Sequence, residues 1–377
     1  MRVAMITSYP WDPELVPGGV TAVGAHMTRC LAAIPGIELH VVCCDPSVER
    51  DITTERDGAT IHFLTDRVRF SAVTNRLPQR WKMARVLGRI RPDLVHAQGL
   101  GVPAAGALDS RCPRAVTVHG LMWNEPIEHP AWITRQGDRI RRRNAYRQAG
   151  RFRHVFITSG HVARSLPPEG DYRLVEVNNP VGEKVFAIRN RPERPHVLVV
   201  GGLRQRKDPM TSVRVMNRVL KEIPDATMHL LGVPGRTELD DQVADYIASC
   251  GMADRVKILG LVPNETLYEE YERASVLLMP SLEESAPVAL GEACAVGLPQ
   301  VGTDSGGIPD MIREGETGFV RPVGDVEALA ERVTAILRDE GLRTRLAAGA
   351  RALGQQEFAG EPIARRTVAA YEEILSG

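Results

Sequence analysis

The chain has 377 residues, 43% of them hydrophobic and 25% charged, with 47 Lys and Arg exactly balanced by 47 Asp and Glu. That length exceeds one ordinary core and predicts two domains. The composition excludes disorder, no uncharged apolar run reaches the roughly 20 residues of a membrane span, and no nucleic-acid-binding motif accompanies the basic segments.

In chain order, the opening "MRVAMITSYP" has one basic residue and a short apolar run, which predicts a first strand and not a secretory signal. The six cysteines (Cys30, Cys43, Cys44, Cys112, Cys250, Cys294) form no CxxC pair. Reduced thiols and a cytoplasmic location are therefore expected, with contact at the inner membrane face as a variant. After the first strand comes a Pro-rich loop, then Gly18 and Gly19, then a helix from Val20. Two glycines at a helix start let backbone N–H groups approach a phosphate. The same pair is also an ordinary turn.

Further strands are predicted at "LHVVCC" (39–44), "DLVHAQ" (93–98), "AVTVH" (115–119) and "HVFITS" (154–159). Two arginine-rich stretches lie among them: 67–92, which has no acid, and 134–154, which has one. Residues 1–190 carry 26 Lys and Arg against 18 Asp and Glu, so the first half is basic and the second acidic. A solvated helix face and an anionic partner both account for this.

The segment "IRNRPERP" (188–195) reads as a linker. Strands resume at "HVLVVGG" (196–202), "ATMHLLG" (226–232), "RVKILG" (255–260), "SVLLMPS" (275–281) and "PQVGT" (299–303). Strands alternating with helical stretches predict an α/β fold with two doubly wound parallel sheets. Ligands bind such sheets at the carboxyl ends of strands. There, Arg204, Arg206 and Lys207 follow Gly201 and Gly202, an arrangement that suits a diphosphate and equally describes solvated loop charges. In "PSLEESAPVALGEACAVGLP" (280–299), Pro287 predicts a helix from about Ala286, with Glu284 in the loop before it and Glu292 inside it. Two carboxylates so spaced can accept hydrogen bonds from separate hydroxyls of one polyol ligand. The last segment, 361–377, has Ile363, Val368, Tyr371 and Ile374 at helical spacing.

Together "GGV" (18–20), "DLVHAQ", "TVHG" (117–120), "VNNPV" (177–181), "VGGLRQRK" (200–207), the E-x7-E stretch and "GTDSGGIPDMIREGETGFV" (302–320) resemble the retaining glycosyltransferases of family 4. The resemblance implies a GT-B fold of two facing Rossmann-like domains with the active site in the cleft. Residues 1–187 would form the acceptor-side domain, with helix 361–377 packing back on it, and 188–360 the nucleotide-sugar domain. It further implies that Gly18 and Gly19 approach the donor diphosphate, Lys207 neutralises it, and the amides of Val288 and Ala289 lie near the phosphates. Glu284 would contact the sugar, Glu292 the ribose, and His119 would lie near the reacting carbon. Gly202 stands where the family usually has an arginine, whose role is assigned to Arg206, and Asp310 replaces a glutamate. No cofactor or metal is expected, since no DxD motif occurs and the nucleoside-diphosphate sugar (UDP-sugar first, GDP-mannose second) is a substrate. The acceptor would be a glycan or a phosphorylated or lipid-linked hydroxyl compound, with peripheral anionic membrane contact and no nucleic acid. A non-catalytic nucleotide-sugar-binding protein and a glycoside hydrolase are the rivals.

Overall fold

The computed structural model describes residues 1–13, 16, 18–66, 76–124, 132–233 and 238–377. It divides into two compact units: Met1–Pro13, Val20–Pro180 and Gly360–Gly377 form the first, and Glu14–Gly19 with Val181–Ala359 the second.

The first unit runs β1 (Arg2–Ile6), α1 (Gly19–Ala32), β2 (Glu38–Asp45), β3 (Ile52–Arg56), β4 (Ala59–Thr65), α2 (Leu77–Ile90), β5 (Leu94–Gln98), α3 (Val102–Asp109), β6 (Arg114–Val118), α4 (Trp132–Ala149), β7 (His154–Ile157), α5 (Gly160–Ser165) and β8 (Arg173–Glu176). Its eight-stranded sheet has the order β3-β4-β2-β1-β5-β6-β7-β8. Only the β3–β4 pair is antiparallel. Alternation along β1 sends Val3 and Met5 into one core, with Met27 and Leu31 of α1, and Ala4 and Ile6 into the other, with Met83 and Leu87 of α2.

The second unit runs α6 (Glu183–Ala187), β9 (His196–Val200), α7 (Pro209–Glu222), β10 (Thr227–Leu231), α8 (Glu238–Ser249), β11 (Val256–Gly260), α9 (Asn264–Arg273), β12 (Val276–Met279), α10 (Val288–Val296), β13 (Gln300–Thr303), α11 (Ile308–Met311), β14 (Gly318–Arg321), α12 (Val326–Arg338) and α13 (Glu340–Glu357). Its six strands are all parallel, in the order β11-β10-β9-β12-β13-β14. The strand order reverses between β9 and β12, and between β1 and β5 in the first unit. Such switch points open a crevice at the carboxyl ends of the strands.

Two boundaries differ from the sequence reading. The main segment of the second unit begins at Val181, and the stretch read as a linker is bonded into it. Asn190 Nδ2 donates to the carbonyls of Tyr271 (2.9 Å) and Ala274 (2.7 Å), and the Arg191 amide donates to Glu272 (2.7 Å). Four strands, β3, β4, β8 and β14, were not anticipated. The β3–β4 hairpin turns on Asp57 (φ +52°) and Gly58 (φ +77°), a left-handed pair for which Asp-Gly is a favoured sequence.

The last helix, α14 (Gly360–Ser376), belongs to the first unit, where Ile363, Tyr371 and Ile374 join Val3, Met5 and Leu94 in one core. Burying each large apolar side chain contributes roughly 1.5–3 kcal/mol, and a domain's whole stability is about 5–15 kcal/mol. Removing residues 360–377 is therefore expected to strip amide hydrogen-exchange protection from β1 and β5 while that of β9 and β12 persists. Unchanged protection in β1 and β5 would show that the core holds without the helix.

Candidate active site

The second unit assembles a charged cluster at its switch point. At the end of β9 the chain passes through Gly201 (φ +153°) and Gly202 (φ +77°) into a short turn, Gln205–Lys207. A Cβ on Gly201 would lie 2.9 Å from Lys207 Cδ and Cε, so the missing side chain is what lets the lysine stem fold back over the strand end. Asp208 (φ +46°) then caps α7, its Oδ1 accepting from the Thr211 amide at 3.1 Å.

The loop after β12 supplies Glu284, which is 5% exposed. Its carbonyl accepts from the Gly307 amide (2.7 Å), and Gly306 (φ +56°) leaves room, since a Cβ there would sit 2.0 Å from that oxygen. Leu282 donates its amide to the Arg206 carbonyl (2.8 Å), and Thr303 Oγ1 donates to the Ser281 carbonyl (2.6 Å). The loops following β9, β12 and β13 are thereby tied together around one carboxylate.

Three groups converge on Glu284 Oε1: Lys207 Nζ, Arg206 Nη1 at 3.1 Å and Ser281 Oγ at 3.2 Å. A carboxylate offers about four acceptor positions on its two oxygens, so Oε2 keeps capacity for ligand hydroxyls. Burial pushes the Glu284 pKa up, but Lys207 and Arg206 outweigh it and hold the group below its ordinary value. Burial also lowers the Lys207 pKa, against the pull of Glu284.

Helix α10 begins at Val288 with Pro287 as its N-cap, two residues later than expected. Val288 and Ala289 thus open the helix, where amides have no intrahelical acceptor and the dipole favours an anion. Glu292 lies inside α10, 9% exposed, and Tyr271 of α9 donates its hydroxyl to Glu292 Oε2 at 2.7 Å. Burial raises the Glu292 pKa to about 7, with the Tyr271 bond pulling the other way. Gly202 is set by its backbone: a Cβ would stand 2.2 Å from the Val233 carbonyl oxygen, so the loop in this conformation accepts no arginine there.

The remaining sequence candidates fall elsewhere in the chain. Gly18 (φ +122°) precedes α1, which Gly19 opens. His119 follows β6 in the first unit, its Nε2 2.7 Å from Gln98 Oε1. Burial lowers its pKa to about 4, opposed by the Asn179 side chain. Tyr271 escaped the sequence reading because it meets Glu292 through tertiary structure alone, whereas Ser281, Gln98 and Gly306 lay within the quoted motifs without a role assigned to them.

Among the described residues, one group combines metal-binding atom types, His196, His229 and Glu270. His196 is the first residue of β9, at the opposite end of that strand from Gly201. Arg273 already supplies the cation there, with Nε 3.1 Å from Glu270 Oε2.

The first arginine stretch is less available than its sequence suggests. Arg80 pairs with both oxygens of Asp109 (2.6 and 2.7 Å), Lys82 with Asp51 (2.9 Å) and Arg76 with Asp66 (2.9 Å). Leu87 is buried. What remains outward is a stripe at four-residue spacing, Leu77, Trp81, Arg85 and Arg89, with the Arg85 guanidinium 5.7 Å from the Trp81 ring centre. Residues 67–75 lie outside the described residues. On α4, Arg139, Arg143 and Arg147 are exposed, and Arg142 is partly so.

Comparison with solved structures identifies the architecture. Sucrose-phosphate synthase from Thermosynechococcus elongatus aligns over 100% of this chain and 99% of its own, with a TM-score of 0.83 and 21% identity. The Anabaena HepE structure in complex with UDP-glucose aligns over 99% and 100%, with a TM-score of 0.74 and 16% identity. The fold is that of the GT-B glycosyltransferases.

Residues 17–181 match the model of Glycosyltransferase Family 4, and residues 182–353 that of Glycosyl transferases group 1. The chain belongs to glycosyltransferase family 4. Among curated relatives, the amylovoran biosynthesis glycosyltransferase AmsK of Erwinia amylovora is 35% identical over 148 residues, 38% of this chain and 36% of that protein. A D-inositol 3-phosphate glycosyltransferase of Corynebacterium diphtheriae is 32% identical over 154 residues, 40% of this chain and 36% of that one. The matched stretches thus span about a third of these relatives' length.

Glu292 provides a direct test of the electrostatics. With its pKa raised from 4.5 to about 7 on folding, the folded protein holds an extra proton between those values, and stability falls as pH rises through that window. The full loss is on the order of 3 kcal/mol. Glu292→Gln removes the titration, so its stability relative to the parent is expected to climb between pH 5 and pH 8 in denaturant unfolding. Parallel curves for the two proteins would mean an ordinary, solvated carboxylate.

Proposed function

We propose that the protein transfers a glycosyl unit from a nucleoside-diphosphate sugar to an acceptor hydroxyl with retention of anomeric configuration. The observation carrying this is the Lys207–Glu284–Arg206 cluster, with its carboxylate buried, at the β9/β12 switch point and close in sequence to a helix start that can receive phosphate. In the free protein the carboxylate serves as the counter-ion of both cations. A donor diphosphate takes over that role, freeing Glu284 to accept hydrogen bonds from sugar hydroxyls.

On this reading, Lys207 and Arg206 stabilise the charge that develops on the departing diphosphate, in a site where burial strengthens electrostatics. They supply positive charge that other enzymes draw from a metal. Arg206 assumes the work of the arginine that Gly202 cannot carry. Gly18 and Gly19, with the amides of Val288 and Ala289, cradle the phosphates, and Glu292, oriented by Tyr271, receives the ribose. His119 acts at the reacting sugar. The leaving phosphate oxygen collects the acceptor proton, so neither Glu284 nor Glu292 serves as nucleophile. The lowered Glu284 pKa argues against that residue as the general acid of a hydrolase, which must stay protonated at working pH.

UDP is the favoured nucleotide, supported by the HepE complex with UDP-glucose, and GDP is second. The acceptor is assigned as phosphorylated or lipid-linked. Relatives that use D-inositol 3-phosphate support the first, and the outward Trp81–Arg85–Arg89 stripe supports peripheral contact with an anionic membrane surface at the cytoplasmic face. No helix among the described residues is long and apolar enough to cross a membrane.

A thermal-shift panel of nucleoside diphosphates and their sugars identifies the donor. Lys207→Ala is then expected to weaken binding of that nucleotide by about one to two orders of magnitude, since a hydrogen bond to an ionised group contributes roughly 1.5–3 kcal/mol. Parent-like affinity would remove Lys207 from the site. Tight donor binding by the parent without turnover on any acceptor would favour the non-catalytic binding protein, a reading that Gly202 keeps open. For the acceptor face, co-sedimentation with acidic but not neutral vesicles is expected, lost at high salt and in Trp81→Ala/Arg85→Ala/Arg89→Ala. Equal, negligible sedimentation with both vesicle types would return the stripe to a solvated face.

A further inference from the structure

A chain of buried polar groups in the first unit leads from the last helix to His119. Tyr371 OH lies 2.6 Å from His96 Nδ1, and His96 Nε2 lies 2.8 Å from Thr117 Oγ1. Gln98 Nε2 is 3.5 Å from His96 Nδ1, and Gln98 Oε1 is 2.7 Å from His119 Nε2. His96, Gln98 and Tyr371 are each at most 1% exposed. We propose that Tyr371, His96 and Gln98 are positioning residues that hold His119 in the Nε2–H tautomer and fix its ring direction. The proposal rests on reading His119 as a group at the reacting sugar, and concerns how this chain prepares it.

Among the described residues, His96 Nδ1 is the acceptor available to the Tyr371 hydroxyl. A buried phenol proton left without one would cost about 1–3 kcal/mol. Tyr371 therefore donates, and His96 Nδ1 accepts. Burial keeps His96 neutral at working pH, so its one proton sits on Nε2 and is donated to Thr117 Oγ1. The single Nδ1 lone pair is taken by the Tyr371 proton, and an amide oxygen 3.5 Å away would meet that lone pair and be repelled, so the NH2 end of Gln98 faces His96. The carbonyl end then faces His119, and an amide oxygen only accepts. His119 must carry its proton on Nε2, which leaves Nδ1 as a lone pair. One phenol proton is thus relayed through His96 and Gln98 to His119, whose ring also meets the Asn179 side chain.

Register explains why this reaches the site. Gln98 and Thr117 are partners across β5 and β6, at the carboxyl ends of those strands, and His119 follows two residues after Thr117. The rings of Tyr371, His96 and Phe156 pack with centroids 4.6–6.1 Å apart, so the aromatic stack holds the relay's first two members without depending on the phenol oxygen.

Tyr371→Phe removes the proton and keeps the stack. By nitrogen-15 NMR of the full chain, His119 in the parent is expected to show the Nε2–H tautomer, and in Tyr371→Phe a mixture. With the transfer assay in hand, kcat is expected to fall about tenfold while the donor KM moves less than about twofold, as for loss of an interaction that matters only in the transition state. Gln98→Leu should give the same mixture, and Gln98→Glu, which retains an acceptor facing His119, should restore the Nε2–H form. An Nδ1–H tautomer in the parent, or parent-like tautomer and kcat in a folded Tyr371→Phe, would overturn the proposal. The NMR measurement needs no substrate, so failure to find any transfer would count against the glycosyltransferase reading and leave the tautomer result to decide this one.

Discussion

The second unit is organised around the burial of one carboxylate beside one ammonium. Glu284 is removed from water, and an ion in that position persists only if its charge is answered nearby. Lys207 and Arg206 answer it, and they can do so because Gly201 clears the path of the lysine stem. The loop bearing Glu284 is latched by its own carbonyl to Gly307, so backbone and side chain of one residue fix three strand ends. Breaking a buried pair on one side typically costs 3–5 kcal/mol, whereas replacing both partners by apolar groups is often neutral. Stability alone therefore gives no strong reason for the pair, and on the function proposed above a ligand that needs those charges supplies one.

A second buried carboxylate shows what a purely structural solution looks like. Both oxygens of Glu270 are engaged, Oε1 by His229 and Arg273, Oε2 by His196 and Arg273. Burial pushes its pKa up, but these partners prevail and hold it far below the usual carboxylate range. Four contacts thus occupy both oxygens of that carboxylate. At Glu284 the partners crowd one oxygen and a helix start lies close in sequence. Two buried acids of similar surroundings are thus separated by how completely they are satisfied.

Much of this was legible in the sequence, and the gaps have physical causes. Ten predicted strands exist because continuous apolar β-branched runs suit parallel sheets buried on both faces. The short edge strands β8 and β14 lack such runs, and the β3–β4 hairpin escaped although its Asp57-Gly58 turn was readable. Glu284, Lys207 and Glu292 could be singled out as candidates because ligands bind parallel sheets at strand ends, and Val288 entered through the family resemblance. The arginine stretch misled in part, since the acids that pair with Arg76, Arg80 and Lys82 are brought in by other elements. An acid-free run of sequence is not an acid-free surface.

The return of α14 shows the same limit from the other side. Its apolar spacing announced a buried face, yet the spacing could not tell that Tyr371 carries a polar duty within that face. His96 and Tyr371 lie 275 residues apart, and neither has a local signature that pairs it with the other. A tyrosine at a core position buries a large ring, and its hydroxyl then requires a partner. In this sheet the acceptor belongs to a histidine two residues before the carboxyl end of β5. Covering the core and orienting a site residue are consequently served by one side chain, so the helix that completes the first unit's packing also decides where protons sit at its carboxyl edge.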